Sequence, residues 1–156
     1  MSQEIRQFAT VYLASDHAGF ELKQAVKTWL EAEQFIVIDG GPDSYDAEDD
    51  FTDYVIPAVR AMVADERAAA IVFGGSGQGE AMAANRVRGA RAAVYYGSNS
   101  SIPRLSREHN DANVLALGAR FVSADDAKWA IWEWLHTPSL AEAKYTRRNA
   151  KLDTLV

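Results

Sequence analysis

The chain contains no cysteine, which removes disulfide bridges, thiolate metal ligands and cysteine nucleophiles together. Histidine is nearly as scarce: His17, His109 and His136 are the only three, too few for a histidine-rich metal cluster. Long apolar runs are missing too. The longest, Ala68 to Phe73, falls far short of the roughly 20 residues that a membrane span needs. Residues 1–10 hold neither a cationic start nor an apolar block, so no export signal is expected and the cytoplasm is the expected location. Basic charge is in deficit, with 16 lysines and arginines against 22 aspartates and glutamates and a net charge of −6. That balance argues against nucleic acid and against an anionic membrane as partner, because both are held by a basic face.

The deficit is uneven. Residues 1–78 carry 5 basic and 14 acidic side chains, whereas residues 79–156 carry 11 and 8. A small anionic ligand needs only a few local cations, and the second half supplies them. The 156 residues, 48% hydrophobic and 24% charged, are expected to form one soluble domain over 1–156.

Short apolar segments alternate with helical patterns from end to end. Thr10–Ala14, Phe35–Ile38, Ala69–Phe73, Ala92–Tyr95 and Val114–Leu117 are β-branched or aromatic runs suited to buried parallel strands. Helical spacing is expected near 20–33, 53–65, 79–86, 101–109 and 124–136. In the first of these, Phe20, Ala25, Val26, Trp29 and Leu30 form the apolar stripe, and Glu21, Lys23, Gln24 and Lys27 are expected to face water. Thr137-Pro138 closes the fifth helix, and Ser139 or Thr137 is the expected cap of a last helix from Leu140 to about Leu152. The alternation implies a three-layer α/β/α sandwich around a five-stranded, mostly parallel sheet. Such sheets bind ligands outside the carboxyl ends of their strands. The segments that matter are therefore Ser15–Gly19, Asp39–Asp50, Gly74–Gly79, Gly97–Ser101 and Gly118–Arg120.

Gly74-Gly75-Ser76-Gly77-Gln78-Gly79-Glu80 follows the third strand and opens a helix. Its glycines let backbone N–H groups converge on an anion, beside the positive potential of a helix N-terminus. The spacing is not G-x-G-x-x-G. It does fit the G-x-x-x-x-G of a P-loop, but Glu80 stands where the lysine belongs and repels nucleotide phosphate, which excludes an NTPase. Proton abstraction beside a carbonyl needs a base near the carbon and donors for the oxyanion that forms. Glu80 supplies the first, and the loop amides with the Ser76 hydroxyl supply the second. The plainer role for Glu80, complementing the helix dipole, does not account for the glycines before it.

Four segments carry a family resemblance: Asp16-His17-Ala18-Gly19-Phe20-Glu21-Leu22-Lys23, Gly74 to Glu80, Ala83-Ala84-Asn85-Arg86, and Ser106-Arg107-Glu108-His109-Asn110-Asp111. Together, in that order and over roughly residues 10–152, the chain resembles the ribose-5-phosphate isomerase B family. The resemblance implies a Rossmann-like fold and interconversion of aldose and ketose phosphates through an enediolate, without metal or cofactor. It also implies a homodimer, with a tetramer left open, whose active sites lie between subunits. Some members carry a cysteine base at the position of Gly74; this chain resembles the branch whose base is the glutamate found here as Glu80. Carried over, Asp16 and His17 contact the sugar phosphate, and Gly75, Ser76, Gly77, Gln78 and Gly79 hold the enediolate oxygens. His109 acts as acid in ring opening with Asn110 beside it, and Arg120 is a further contact.

Departures from the family pattern bear on the substrate. The last helix usually carries Arg-His-x-x-Arg, where this chain has Lys144-Tyr145-Thr146-Arg147-Arg148. Lys144 and Arg148 share a helical face and can meet one phosphate with His17, but lysine offers a point charge where arginine offers a fork. Asp50-Phe51-Thr52 replaces the usual Asp-Tyr-Pro. Ribose 5-phosphate and ribulose 5-phosphate are the expected pair; a tetrose or hexose phosphate, or a non-catalytic phosphosugar- or flavin-binding module, are the alternatives. His136 at a helix end reads as structural. The acidic run Asp43, Asp46, Glu48, Asp49 and Asp50 lacks calcium-loop spacing and reads as solvated loop. Trp129, Trp132 and Trp134 are expected to pack a helix on the sheet or on a partner subunit. Arg86, Arg88 and Arg91 are surface or interface charges.

Overall fold

The computed structural model describes residues 5–155; residues 1–4, which open the stretch examined for an export signal, lie outside it. Five strands form one parallel sheet: β1 (Thr10–Ser15), β2 (Ile36–Asp39), β3 (Ala68–Gly74), β4 (Ala92–Tyr95) and β5 (Val114–Gly118), in the order β2-β1-β3-β5-β4. The helices are α1 (Phe20–Ala32), α2 (Phe51–Val63), α3 (Gln78–Ala84), α4 (Ser101–Asn110), α5 (Ala124–His136) and α6 (Ala143–Asp153). Strand β3 is buried at every position, as a central strand covered on both faces must be.

Its alternation sorts the core into two layers. Ala69, Ile71 and Phe73 join Val26 and Leu30 of α1 and Ile131, Trp134 and Leu135 of α5. Ala68, Ala70 and Val72 join Val55, Val59 and Met62 of α2 and Ala81 and Ala84 of α3. The second layer is rich in alanine, so α2 and α3 lie close to the sheet. Helix α4 packs on α5, and α6 packs on α4. Among the described residues no helix is long and apolar enough to cross a membrane.

The strand order places the site. From β1 the chain runs outward to β2, and from β2 it returns past β1 to β3, so the loops leaving β1 and β3 diverge over a shared crevice. The register aligns the carboxyl ends that flank it: Ser15 pairs with Phe73, and Gly74 pairs with Gly118.

Two local expectations need correction. Lys23 does not face water. It lies on the buried stripe of α1 with Val26 and Leu30, fully buried, and its Nζ donates to Asp39 Oδ1 at 2.7 Å, to the Pro42 carbonyl at 3.1 Å and to Gln24 Oε1 at 3.2 Å. A buried ammonium persists only where acceptors replace its water. The last helix begins at Ala143, not Leu140, and Glu142 occupies its cap position. The Thr137 hydroxyl instead donates to the Glu133 carbonyl at the end of α5, and the stretch that follows is non-helical, with the Leu140 N–H donating to the Glu108 carbonyl.

Candidate active site

Three loops meet over the carboxyl ends of β1, β3 and β5. The glycine loop is clipped to the loop after β5 by Ala119 N–H to the Gly74 carbonyl (2.8 Å) and Arg120 N–H to the Gly75 carbonyl (3.1 Å). Gly77 caps α3 with φ of +79°. A side chain there would also press on the backbone of Ala116, Leu117 and Gly118 at 3.0–3.2 Å, so glycine is required both by conformation and by space. The N–H groups of Ser76 and Gly77 donate to no acceptor among the described residues. Unpaired amides at this turn form a cradle for negative oxygen. Gly75 lies under the Arg120 guanidinium, whose Cζ stands 3.0 Å from where a Cβ would be. The Ser76 hydroxyl accepts weakly from the Gln78 N–H at 3.4 Å, and the Gln78 side chain is exposed.

Glu80 is the third residue of α3 and is 4% exposed. Its carboxylate occupies the space that a side chain on Gly74 would fill. Burial pushes its pKa up, its own backbone N–H pulls it back, and the charge of Asp16 raises it further. A carboxyl raised by burial is suited to take and return a proton near neutral pH.

Asp16 directly follows β1 and caps the short turn His17–Gly19 by accepting from the Gly19 N–H at 3.2 Å. The His17 ring donates or accepts through Nδ1 at 2.7 Å from Asp49 Oδ1, and the same oxygen accepts from the His17 backbone N–H at 3.0 Å. The Asp49 hydrogen bond is the main cause of a raised His17 pKa; burial opposes it, Asp16 and Asp49 charge add to it, and Arg120 subtracts. The acidic run is therefore not solvated loop throughout: the Asp49 side chain is 4% exposed. Asp16, His17 and Asp49 are the one grouping among the described residues whose ligand-type atoms approach within 4.8 Å of one another, and the His17–Asp49 hydrogen bond already uses the two nearest.

The remaining predicted residues lie elsewhere. His109 and Asn110 end α4, just before the amino end of β5, while Glu80 follows the carboxyl end of the adjacent parallel strand β3. At about 3.3 Å per residue, the length of β5 separates the two groups by about 15 Å. Helix α6 joins His109 at that far edge: the imidazole stacks on Tyr145 with ring centroids 4.5 Å apart, and Asn149 Nδ2 donates to the His109 carbonyl. Lys144 pairs with Glu142 at 3.1 Å, and Arg148 on the same helix is exposed. A cavity of about 480 Å³ opens on this edge, lined by Asn85, Arg86, Ala92, Ser106, Asn110 and Leu152.

Thus Asp16, His17, Gly75 to Gly79, Glu80 and Arg120 come together, whereas His109, Asn110, Lys144 and Arg148 form a second cluster. Asp49 was missed because its partner His17 lies 32 residues earlier; the only signal was its place in the loop leaving β2. The aromatic and arginine expectations resolve individually. Trp134 is fully buried and donates to Ser106 Oγ, Trp132 meets the His136 ring at a 35° tilt, and Trp129 is exposed. Arg91 joins Asp111 and Asp153 in ion pairs.

The chain is thus an open α/β protein with a buried carboxylate beside open backbone amides at the switch point of its parallel sheet. Residues 11–152 match the family described as Ribose/Galactose Isomerase, and the chain belongs to that family. It is 42% identical over 138 residues to a ribose-5-phosphate isomerase B of Mycolicibacterium paratuberculosis, covering 88% of this chain and 86% of that one. Among solved structures, it resembles a ribose 5-phosphate isomerase from Thermotoga maritima with a TM-score of 0.87 and 37% identity, covering 94% and 99% of the two chains. It likewise resembles ribose-5-phosphate isomerase B of Mycoplasma genitalium, solved with bound ribulose-5-phosphate, with a TM-score of 0.86 and 32% identity over 93% and 94%.

Proposed function

We propose that the chain is a cytoplasmic aldose–ketose isomerase that interconverts ribose 5-phosphate and ribulose 5-phosphate. Glu80 takes the proton from C2 of the open-chain aldose and the C1 oxygen becomes the enediolate oxygen; the C2 hydroxyl proton then passes to the C1 oxygen, and Glu80 returns its proton to C1 as the C2 oxygen becomes the carbonyl. The Ser76 and Gly77 amides, with the rest of the Gly75–Gly79 turn and the Ser76 hydroxyl, stabilise the enediolate. Asp16, His17 and Arg120 contact the sugar phosphate from the same loops. The observation that carries this reading is the Glu80 carboxylate itself, buried against Gly74, raised in pKa and adjacent to unpaired amides.

His109, Asn110, Lys144 and Arg148 act on the same substrate from a second copy of the chain. Their position toward the amino ends of the strands, opposite to Glu80, supports a homodimer with sites between subunits, because one chain folded alone does not bring them to Glu80. His109 then serves as the acid in ring opening, with Asn110 beside it, while Lys144 and Arg148 meet the phosphate. Replacing Glu80 by Gln tests the assignment: the variant folds and retains ligand, and turnover falls by about 10²- to 10⁴-fold. Near-normal turnover removes the assigned base.

A second reading changes only the sugar. The Phe51 ring packs on Gly79, 2.9 Å from where a Cβ would stand, and puts an apolar wall beside the glycine turn. Comparing kcat/KM for four-, five- and six-carbon aldose phosphates decides between ribose 5-phosphate and a tetrose or hexose phosphate.

A further inference from the structure

We infer that Asp49 is a positioning residue for His17: it holds the ring by Nδ1, so that Nε2 is the nitrogen offered to an anionic ligand. The inference rests on the reading of His17 as a phosphate contact and extends it to a residue in a different loop.

The geometry is specific. Asp49 Oδ1 engages both the ring Nδ1 (2.7 Å) and the backbone N–H (3.0 Å) of His17. That double contact fixes the ring relative to its own main chain, not merely near a carboxylate. The other oxygen, Oδ2, is buried and has no hydrogen-bond partner in the protein. A buried carboxylate with half its acceptor capacity unused costs stability, so its service to the fold alone is poor. With Nδ1 committed, the imidazole has one nitrogen left for a ligand, and its side chain is 29% exposed. The hydrogen bond to one ring nitrogen sets what the other presents.

Charge acts in the same direction. The groups facing His17 are Asp49, Asp16 with an oxygen 4.0 Å away, Arg120, and Tyr45, whose ring meets the imidazole edge-on at 6.3 Å. Asp49 and Asp16 favour the imidazolium, and Arg120 opposes it. A protonated His17 with Nδ1–H on Asp49 presents Nε2–H as a charge-assisted donor to a phosphate oxygen.

The test compares wild type, D49N and D49A by following the His17 ring resonances in 15N-labelled protein from about pH 5 to about pH 9, across the imidazole range. KM and kcat for ribose 5-phosphate are measured over the same range. Asparagine keeps an acceptor oxygen and loses the charge, so in D49N the His17 titration moves to lower pH. KM rises about tenfold on the alkaline side, the size of one charge-assisted contact, and the gap closes toward acid pH; kcat moves much less. D49A, with no acceptor, also loses the fixed tautomer, visible in the ring nitrogen shifts. The inference is overturned if His17 titrates in D49N where it does in wild type, or if KM and kcat change together and independently of pH. A wild-type protein without turnover would sink the functional reading instead, and the ring titration alone then decides for or against Asp49.

Discussion

The carboxylate of Glu80 lies where a side chain on Gly74 would begin. One volume at the end of β3 therefore holds either a group on position 74 or the Glu80 carboxylate, not both. The two branches that the resemblance implies, one with a cysteine base at position 74 and one with a glutamate at position 80, would then be alternative fillings of that one volume. Substituting Gly74→Ala displaces the carboxylate. Displacements of about 1 Å at reacting groups cost about 10²-fold in rate, and overpacking costs about 1–3 kcal/mol. Steady-state kinetics and urea unfolding check both figures; an active, fully stable G74A contradicts the shared volume. Pairing the change with Glu80→Ala should restore the lost stability without restoring the rate.

Glu80 should also weaken the fold it serves. Its folded pKa is raised, chiefly by burial, above the unfolded value of about 4.3. The sign follows from linkage: stability is fully present below the unfolded pKa and is lost as pH rises through the folded one. Glu80→Gln removes that loss, so the variant melts above wild type at alkaline pH, and the two converge in acid. Thermal unfolding across pH checks this, and a variant less stable than wild type at alkaline pH contradicts it.

Lys23 and Asp39 pin the loop that carries Asp49. Burial pushes the Asp39 pKa up, but Lys23, the Gly41 N–H and Lys27 outweigh it, and the net shift is downward. Asp39 thus stabilises the fold above its unfolded pKa of about 3.9, and that contribution fades as pH falls through the lowered folded value. Removing one partner of a buried pair costs about 3–5 kcal/mol, which sets the expectation for Lys23→Met in urea unfolding. The double variant Lys23→Met with Asp39→Asn should recover part of it; strict additivity of the two single losses contradicts coupling.

These contacts show where the sequence was legible and where it was not. The strands appear as short apolar runs because a central parallel strand such as β3 is buried on both faces, and the glycine turn announces itself by composition. Lys23 could have been placed by period, since it stands three residues before Val26, but its chemistry suggested water and its acceptors Asp39 and Pro42 are supplied 16 and 19 residues away. The start of α6 was missed because Thr137 uses its hydroxyl on Glu133 rather than as a cap. The division of the predicted site between the two ends of the sheet follows from the parallel pairing of β3 with β5, which puts residues before β5 and residues after β3 at opposite ends; that pairing joins segments distant in the chain, and no local pattern encodes it.

That division predicts complementation. If Glu80 of one copy works with His109 of another, an E80Q/H109N heterodimer carries one doubly altered site and one intact site. Mixing the two inactive variants under subunit exchange, with half the dimers mixed and one of two sites restored in each, recovers about a quarter of wild-type activity. Confirmed heterodimers with no recovered activity contradict the shared site.

The most direct test of Glu80 as the base is isotopic. During turnover of ribose 5-phosphate in heavy water, wild type should wash solvent deuterium into the carbon that exchanges its proton, and E80Q should do so at least about 10²-fold more slowly while still binding the sugar phosphate. Deuterium entering at a near-wild-type rate in E80Q would contradict the account.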